Sequence, residues 1–89
     1  MKAVVSVIGR DAVGIIAKVS AVCAGCGASI SDISQTVLGE YFTMIMLVDI
    51  ANITITFDAF SDQMSSLGKA ENLDIHVMHE DIFNSMHRI

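Results

Sequence analysis

AVVSVIGRDAVGI, residues 3–15, is the stretch that decides the fold of this chain. Its first six residues are apolar apart from Ser6, which indicates a buried strand. The glycine-bracketed run GRDAVGI, residues 9–15, then leads into apolar residues at helical spacing. The first N–H groups of a helix have no partner within the helix, and the helix dipole is positive at that end. This turn from strand to helix therefore suits a carboxylate or another small anion.

Apolar residues at helical spacing predict the first helix, from about residue 13 to residue 25 or 26. Asp11 is its expected N-cap, and Gly25 and Gly27 stand where the helix is expected to stop. The side chains expected to face inward are Ile16, Val19, Cys23 and Cys26. A strand over residues 29–37 follows. It is polar on much of both faces, which favours an edge strand. One of its faces is expected to carry Ile30, Asp32, Ser34 and Thr36.

Gly39 and Glu40 predict a hairpin turn into the strongest strand of the chain, residues 41–50. One of its faces is expected to carry Phe42, Met44, Met46 and Val48, and the other Tyr41, Thr43, Ile45 and Leu47. A second helix is expected from Thr56 or Asp58 to Leu67, with Gly68 ending it. The β-branched residues 52–57 could instead extend the preceding strand. A strand over 73–78 and a short helix over 81–87 complete the pattern.

This order predicts the α+β fold class: a ferredoxin-like βαββαβ sandwich with a four-stranded antiparallel sheet, two helices on one face and a short C-terminal helix. Eighty-nine residues support one domain, residues 1–89. A strand that is apolar on both faces is normally buried on both. We therefore expect a homodimer in which a second copy covers the open face of the sheet.

Composition excludes several classes of protein. The net charge is −5, and the five basic residues are scattered, which argues against nucleic acid as a partner. No apolar run approaches the roughly 20 residues of a membrane span, so we expect no membrane partner. The first residues lack the layout of a secretory signal, and we expect a cytoplasmic protein. Two cysteines in such a chain predict free thiols.

The run Gly-x-Asp-x-x-Gly-Ile at residues 9–15 resembles the ligand-binding turn of ACT domains. The runs DISQT, residues 32–36, and EYFTM, residues 40–44, are similar to the small stand-alone proteins that consist of one ACT domain. This resemblance covers nearly the whole chain. It implies a regulatory fold, not an enzyme, that binds amino acids or similar metabolites without a cofactor. Such sites usually lie at a subunit interface.

By this resemblance the pocket is formed by the turn after the first strand and the facing second strand of a neighbouring subunit. The turn residues carried over are Gly9, Arg10, Asp11, Val13, Gly14 and Ile15. On the second strand, the expected ligand-binding residues are Ser29, Asp32 and Ser34. Ser29 stands where related domains often have asparagine, whose amide supplies both a donor and an acceptor.

Two other groups of residues are interpreted as structural. Cys23 and Cys26 have the spacing of a redox motif, but they fall late in a helix, where its dipole does not lower a thiol pKa, so core packing is favoured. His76, His79 and His87 form no recognisable metal-ligand pattern, so no metal is expected.

Three functions remain open. A sensor of a small carboxylate is preferred, and a protein-interaction module without a metabolite is the main alternative. The third is an enzyme, because Arg10 with Val13-Gly14-Ile15 distantly resembles the anion-binding loop of acylphosphatases. No nucleophile–base pair can be named for it.

Overall fold

The computed structural model describes residues 1–10 and 14–86 of the chain. The elements, in chain order, are β1 (Lys2–Gly9), α1 (Ile15–Cys26), β2 (Ser29–Leu38), β3 (Tyr41–Asp49), α2 (Phe57–Glu71), β4 (Asp74–His79) and α3 (Glu80–Met86). The strands form an antiparallel sheet in the order β2-β3-β1-β4. The predicted sandwich is confirmed, and β2 is an edge strand as expected.

The core lies between one face of the sheet and the two long helices. Alternate residues of the central strands point towards it, because successive side chains of a strand face opposite sides. The buried strand residues are Ala3, Val5, Val7, Phe42, Met44, Met46, Val48 and Ile75. From α1 and α2 the core receives Ile15, Val19, Cys23, Cys26, Phe60 and Met64. The predicted grouping of Phe42, Met44, Met46 and Val48 on one face of β3 is therefore confirmed, and this is the face that the helices bury.

The opposite face of the sheet is only partly covered. The short helix α3 packs against β1 and β4 on this side. Phe83 of α3, together with Val4, Ile45 and Met78, lines an apolar cavity of about 470 Å³. Val4 is 6% exposed, whereas Ile45 is 43% exposed. The chain's own last helix thus takes part of the face that we expect a second copy to cover, and that dimer stays a prediction.

The start of α1 differs from the sequence prediction. Its N-cap is Gly14, with φ of 74° and no hydrogen bond from a capping side chain. The expected cap, Asp11, and the expected start at residue 13 lie outside the described residues. The inward residue is Ile15, and the prediction for Ile16 was wrong, since Ile16 is 39% exposed. At about 100° per residue, Ile15 lies roughly 40° from Val19 around the helix axis, and Ile16 lies roughly 60° away, at the rim.

The second helix is longer than predicted. Thr56 is its N-cap, and its Oγ1 accepts a hydrogen bond from the N–H of Ala59 at 3.1 Å. Residues 52–57 therefore lead into the helix and do not extend β3. The prediction that Gly68 ends the helix was wrong, because Gly68 lies buried within it. The helix ends at Asn72, a C-cap with φ of 57°, a conformation that asparagine tolerates.

One face of β2 was also predicted wrongly. The pairing of β2 with β3 shifts register between Ile30 and Asp32. A bulge of this kind adds one residue and reverses the alternation of side chains. Ile30 consequently shares a face with Ile33, while Asp32, Ser34 and Thr36 remain together on the other face.

No helix in the described part of the chain is long and apolar enough to cross a membrane.

Candidate functional site

A cavity of about 450 Å³ lies at the end of the central strand β1. Here β1 ends, while β3 and β4 begin beside it, because both are antiparallel to β1. The last turn of α2 and the connection to β4 close the other side. The lining residues are Ile8, Gly9, Arg10, Tyr41, Gly68, Lys69, Asn72, Leu73 and Asp74.

Two close contacts, each at a glycine, shape this cavity. The carbonyl of Gly68 accepts hydrogen bonds from the N–H groups of Asn72 and of Leu73, the latter at 2.8 Å. A Cβ atom on Gly68 would stand 2.7 Å from the carbonyl oxygen of Leu73, so only glycine permits this turn. The side chain of Leu73 in turn fills the space that a Cβ on Gly9 would need. The connection from α2 to β4 therefore rests directly on the end of β1.

Charged and aromatic side chains surround the opening. The guanidinium carbon of Arg10 lies 5.6 Å from the centroid of the Tyr41 ring, a cation–π contact. Lys69 adds a second cation. Asp74 adds a carboxylate, and its Oδ1 lies 2.9 Å from Nε2 of His76. The cavity thus offers two cations, one anion and an aromatic ring to a small polar molecule.

Only some of the predicted turn residues line this cavity. Gly9 and Arg10 line it. Gly14 and Ile15 lie at the start of α1 and do not line the cavity, although Cδ1 of Ile15 comes within 3.9 Å of the position of a Gly9 Cβ. Asp11 and Val13 lie outside the described residues, and their role stays a prediction.

The predicted residues of β2 lie elsewhere within the same subunit. Strand β3 separates β2 from β1, and Ser29 pairs with Asp49 at the far end of the sheet. Asp32 and Ser34 lie on the exposed edge strand, and Oδ1 of Asp32 accepts the N–H of Ile33 at 2.8 Å. The fold does not bring these three residues to the cavity within one subunit. Their predicted role depends on the β2 strand of a neighbour.

Sequence reasoning missed the residues that the part of the chain after β2 supplies to the cavity. They are Tyr41, Gly68, Lys69, Asn72, Leu73 and Asp74. These residues could have been predicted from the sandwich topology, because it places the start of the third and fourth strands beside the end of the first. Extending the second helix beyond Gly68 would have brought Lys69 to the same end.

The two cysteines are structural. Cys23 and Cys26 are 1% and 2% exposed, and Sγ of Cys26 donates a hydrogen bond to the Cys23 carbonyl at 3.5 Å. Burial raises the pKa of the Cys23 thiol to about 11, with a smaller contribution from Cys26. A reactive cysteine has a lowered pKa, so the preferred interpretation as core packing is confirmed.

The histidines lie on opposite faces of the last strand, as their spacing predicts. His76 pairs in register with Ser6 on the open face, whereas the ring of His79 lies 6.1 Å from that of Phe57 on the helix side. His87 lies outside the described residues. Within residues 1–10 and 14–86, no three His, Cys, Asp or Glu residues come together as a metal site would require.

Comparisons with known proteins agree with this architecture. The sequence model of the ACT domain matches residues 2–78. The UPF0237 protein of Clostridium acetobutylicum is 47% identical over 89 residues, which covers 100% of both chains.

Solved structures extend the comparison. The ACT domain protein from Streptococcus pneumoniae superposes with a TM-score of 0.82 at 40% identity and covers 93% of each chain. A formyltetrahydrofolate deformylase from Pseudomonas syringae superposes with a TM-score of 0.78 at 21% identity, over 88% of this chain and 27% of that one. This second likeness concerns the fold alone.

Proposed function

The chain belongs to the ACT domain family, and from this we propose that it binds an amino acid or a similar small carboxylate at the turn between β1 and α1. ACT domains are generally regulatory modules that bind small molecules. The observation that carries the proposal is the cavity at the end of β1, which Gly9 and Arg10 of this turn both line. The proposed role is regulatory, with no chemistry of its own.

The side chains at this end of the sheet suit a carboxylate. Arg10 presents a planar guanidinium that can donate two parallel hydrogen bonds to one carboxylate. Gly14 carries no side chain over the first turn of α1, and the nearest atom to a Cβ placed there is Cε of Lys18 at 3.8 Å. We expect the N–H groups of that turn to be available to a ligand that reaches past Gly9.

A homodimer would complete the site. All ten residues of β2 are exposed, and they include the large apolar side chains of Ile30, Ile33, Val37 and Leu38. A long edge strand of this kind is a template for pairing with another chain. If two β2 strands pair antiparallel, the partner's strand runs in reverse. Its Ser29 end then lies towards the end of the sheet that holds the turn, with Asp32 and Ser34 following along the edge.

The regulatory output follows from linkage. A ligand that binds only the folded dimer raises its stability in proportion to the logarithm of ligand concentration. If the ligand changes the affinity for a target protein, the target changes the affinity for the ligand by the same factor. Ligand binding and any partner binding should therefore be measured together.

The test is thermal unfolding of the protein with a panel of amino acids and small carboxylates. We expect a ligand to raise Tm by several degrees in the wild type. Gly14→Val should abolish the shift, because a β-branched residue at φ of 74° is strained and covers the turn. Arg10→Gln, an exposed change that leaves the backbone alone, should weaken the shift as well. Lys2→Gln, which removes a charge at the other end of β1, is the control and should keep it.

The exposed apolar edge of β2 also favours a second function, a protein-interaction module without a metabolite. In that case no member of the panel raises Tm. A partner protein would instead bind the dimer-forming edge and dissociate the homodimer, and that result would replace the proposal.

A further inference from the structure

The cavity at the end of β1 receives two cations from different elements. Arg10 follows the last residue of β1, and Lys69 lies in the last turn of α2. In the described part of the chain neither side chain forms an ion pair, whereas Lys18 pairs with Glu71 at 2.8 Å. The chain has a net charge of −5 and only five basic residues. Two of these five lie at one cavity, so each can pair with a separate negative group of the same ligand.

The same cavity holds a carboxylate that is already oriented. Oδ1 of Asp74 lies 2.9 Å from Nε2 of His76. A carboxylate has about four lone-pair positions, so Asp74 can accept a second hydrogen bond through Oδ2. This group would disfavour a purely anionic ligand placed against it. It suits an ammonium group on a ligand that is anionic at its two ends.

We propose that the ligand is an amino acid whose side chain carries a second acidic group. Arg10 binds the α-carboxylate, Lys69 binds the side-chain carboxylate, and Asp74 accepts a hydrogen bond from the ammonium group. Ile8 and Leu73 supply apolar wall for the methylene groups between them. The volume of about 450 Å³ lies within the range of small-molecule sites. This inference names the ligand class of the site proposed above and rests on that proposal.

The experiment is calorimetric titration of the full chain at one fixed salt concentration with glutamate, glutamine and glutarate. Glutamine has the shape of glutamate without the second charge, and glutarate has both carboxylates without the ammonium group. A charge-assisted hydrogen bond is worth roughly a factor of ten in affinity. We expect glutamate to bind about tenfold more tightly than glutamine and also more tightly than glutarate.

Two variants with the same change of charge locate the effect. Lys69→Gln should reduce the preference for glutamate over glutamine to within about twofold, because the side-chain carboxylate loses its partner. Lys2→Gln should preserve the preference, because Lys2 pairs in register with Asp49 at the opposite end of β1. Asp74→Asn should remove the preference for glutamate over glutarate.

Two results would overturn the inference, and they differ in what they say about the proposed function. If glutamine or other neutral amino acids bind as well as glutamate, with binding sensitive to Arg10→Gln and insensitive to Lys69→Gln, the acidic ligand class is wrong and the amino-acid site stands. If no amino acid or carboxylate binds the wild type, both proposals fail together.

Discussion

Arg10 stacks over the ring of Tyr41, with its guanidinium carbon 5.6 Å from the ring centroid. The strand register explains the contact. Gly9 pairs with Phe42 across the antiparallel strands β1 and β3. Arg10, which follows Gly9, therefore lies opposite Tyr41, which precedes Phe42. We therefore expect Tyr41 to act as a positioning residue, which holds Arg10 at the cavity while leaving its N–H groups available for a ligand.

The first prediction separates the ring of Tyr41 from its hydroxyl. Tyr41→Leu removes the aromatic face and should weaken ligand binding about two- to fivefold, because a cation–π contact at an exposed position is worth roughly 0.5–1 kcal/mol. Tyr41→Phe keeps the face and should bind within about 1.5-fold of the wild type, by the same estimate. Calorimetry on both variants decides the matter. Equal losses in the two would assign the effect to the hydroxyl and not to the ring.

A second prediction concerns the turn from α2 to β4. Gly68→Ala places a Cβ 2.7 Å from the carbonyl oxygen of Leu73, so the backbone of the turn must move. We expect the free energy of unfolding to fall by about 1–3 kcal/mol, as for other overpacked sites. Urea denaturation measures this change.

Gly25→Ala is the matched control for that variant. Gly25 also lies within a helix, but nothing stands within 4 Å of its Cβ position. Because alanine is the better helix former, Gly25→Ala should be neutral or raise stability by up to about 1 kcal/mol. A Gly68→Ala protein as stable as Gly25→Ala would show that the turn relaxes without cost.

The third prediction is a pH dependence of stability. The pKa of Cys23 is raised from 9.0 to about 11 in the folded protein, chiefly by burial. Between these values the folded state binds the thiol proton more strongly than the unfolded state, so stability falls as pH rises. The contribution is complete below pH 9 and is lost by about pH 11, and it amounts to about 2–3 kcal/mol.

Denaturation with urea at pH 8 to 11 tests this linkage. Cys23→Ala lowers stability at all pH values by removing buried volume, but it should also flatten the slope between pH 9 and 11. Other groups titrate in the same range, and subtracting the variant's curve removes them. Parallel curves for the wild type and Cys23→Ala would contradict a raised thiol pKa.

The alternation of strand residues and the order of elements were enough to predict the sandwich. The grouping of Met44 and Met46 on one face of β3, where both are fully buried, follows directly from a period of two. The alternation predicted for β2 was wrong at Ile30. The bulge after Ile30 depends on pairing with β3 and leaves no local signal in a polar strand. The end of α2 was missed for a similar reason, since Gly68 resembles a stop signal yet is required by the packing of Leu73.

Only the part of the candidate site that belongs to one local motif could be predicted from the sequence. Gly9 and Arg10 belong to a local motif, and they line the cavity. Lys69 and Asp74 come from 59 or more residues further along the chain. Only the three-dimensional arrangement of α2 and β4 brings them to the same place, so no local pattern could identify them.

The last prediction distinguishes two ways of forming the proposed homodimer. Val37 is 69% exposed on the edge strand β2, and Ile45 is 43% exposed on the open face of the sheet. A lysine at an edge strand disfavours pairing with another strand, and a buried unpaired charge is costly at any apolar interface. If β2 edges pair, Val37→Lys should yield a monomer and Ile45→Lys should remain a dimer. If the open faces pack together instead, Ile45→Lys should yield a monomer and Val37→Lys should remain a dimer.

Light scattering after size-exclusion chromatography measures the mass of each variant, and circular dichroism confirms that each is folded. Both positions are exposed in the isolated subunit, so neither lysine should unfold it. A monomeric Val37→Lys protein should also show a weaker amino-acid response, because the partner's Ser29, Asp32 and Ser34 leave the site. Retention of the full response in a monomer would confine the ligand site to the cavity at the end of β1. A wild-type protein that runs as a monomer at all concentrations would refute the dimer.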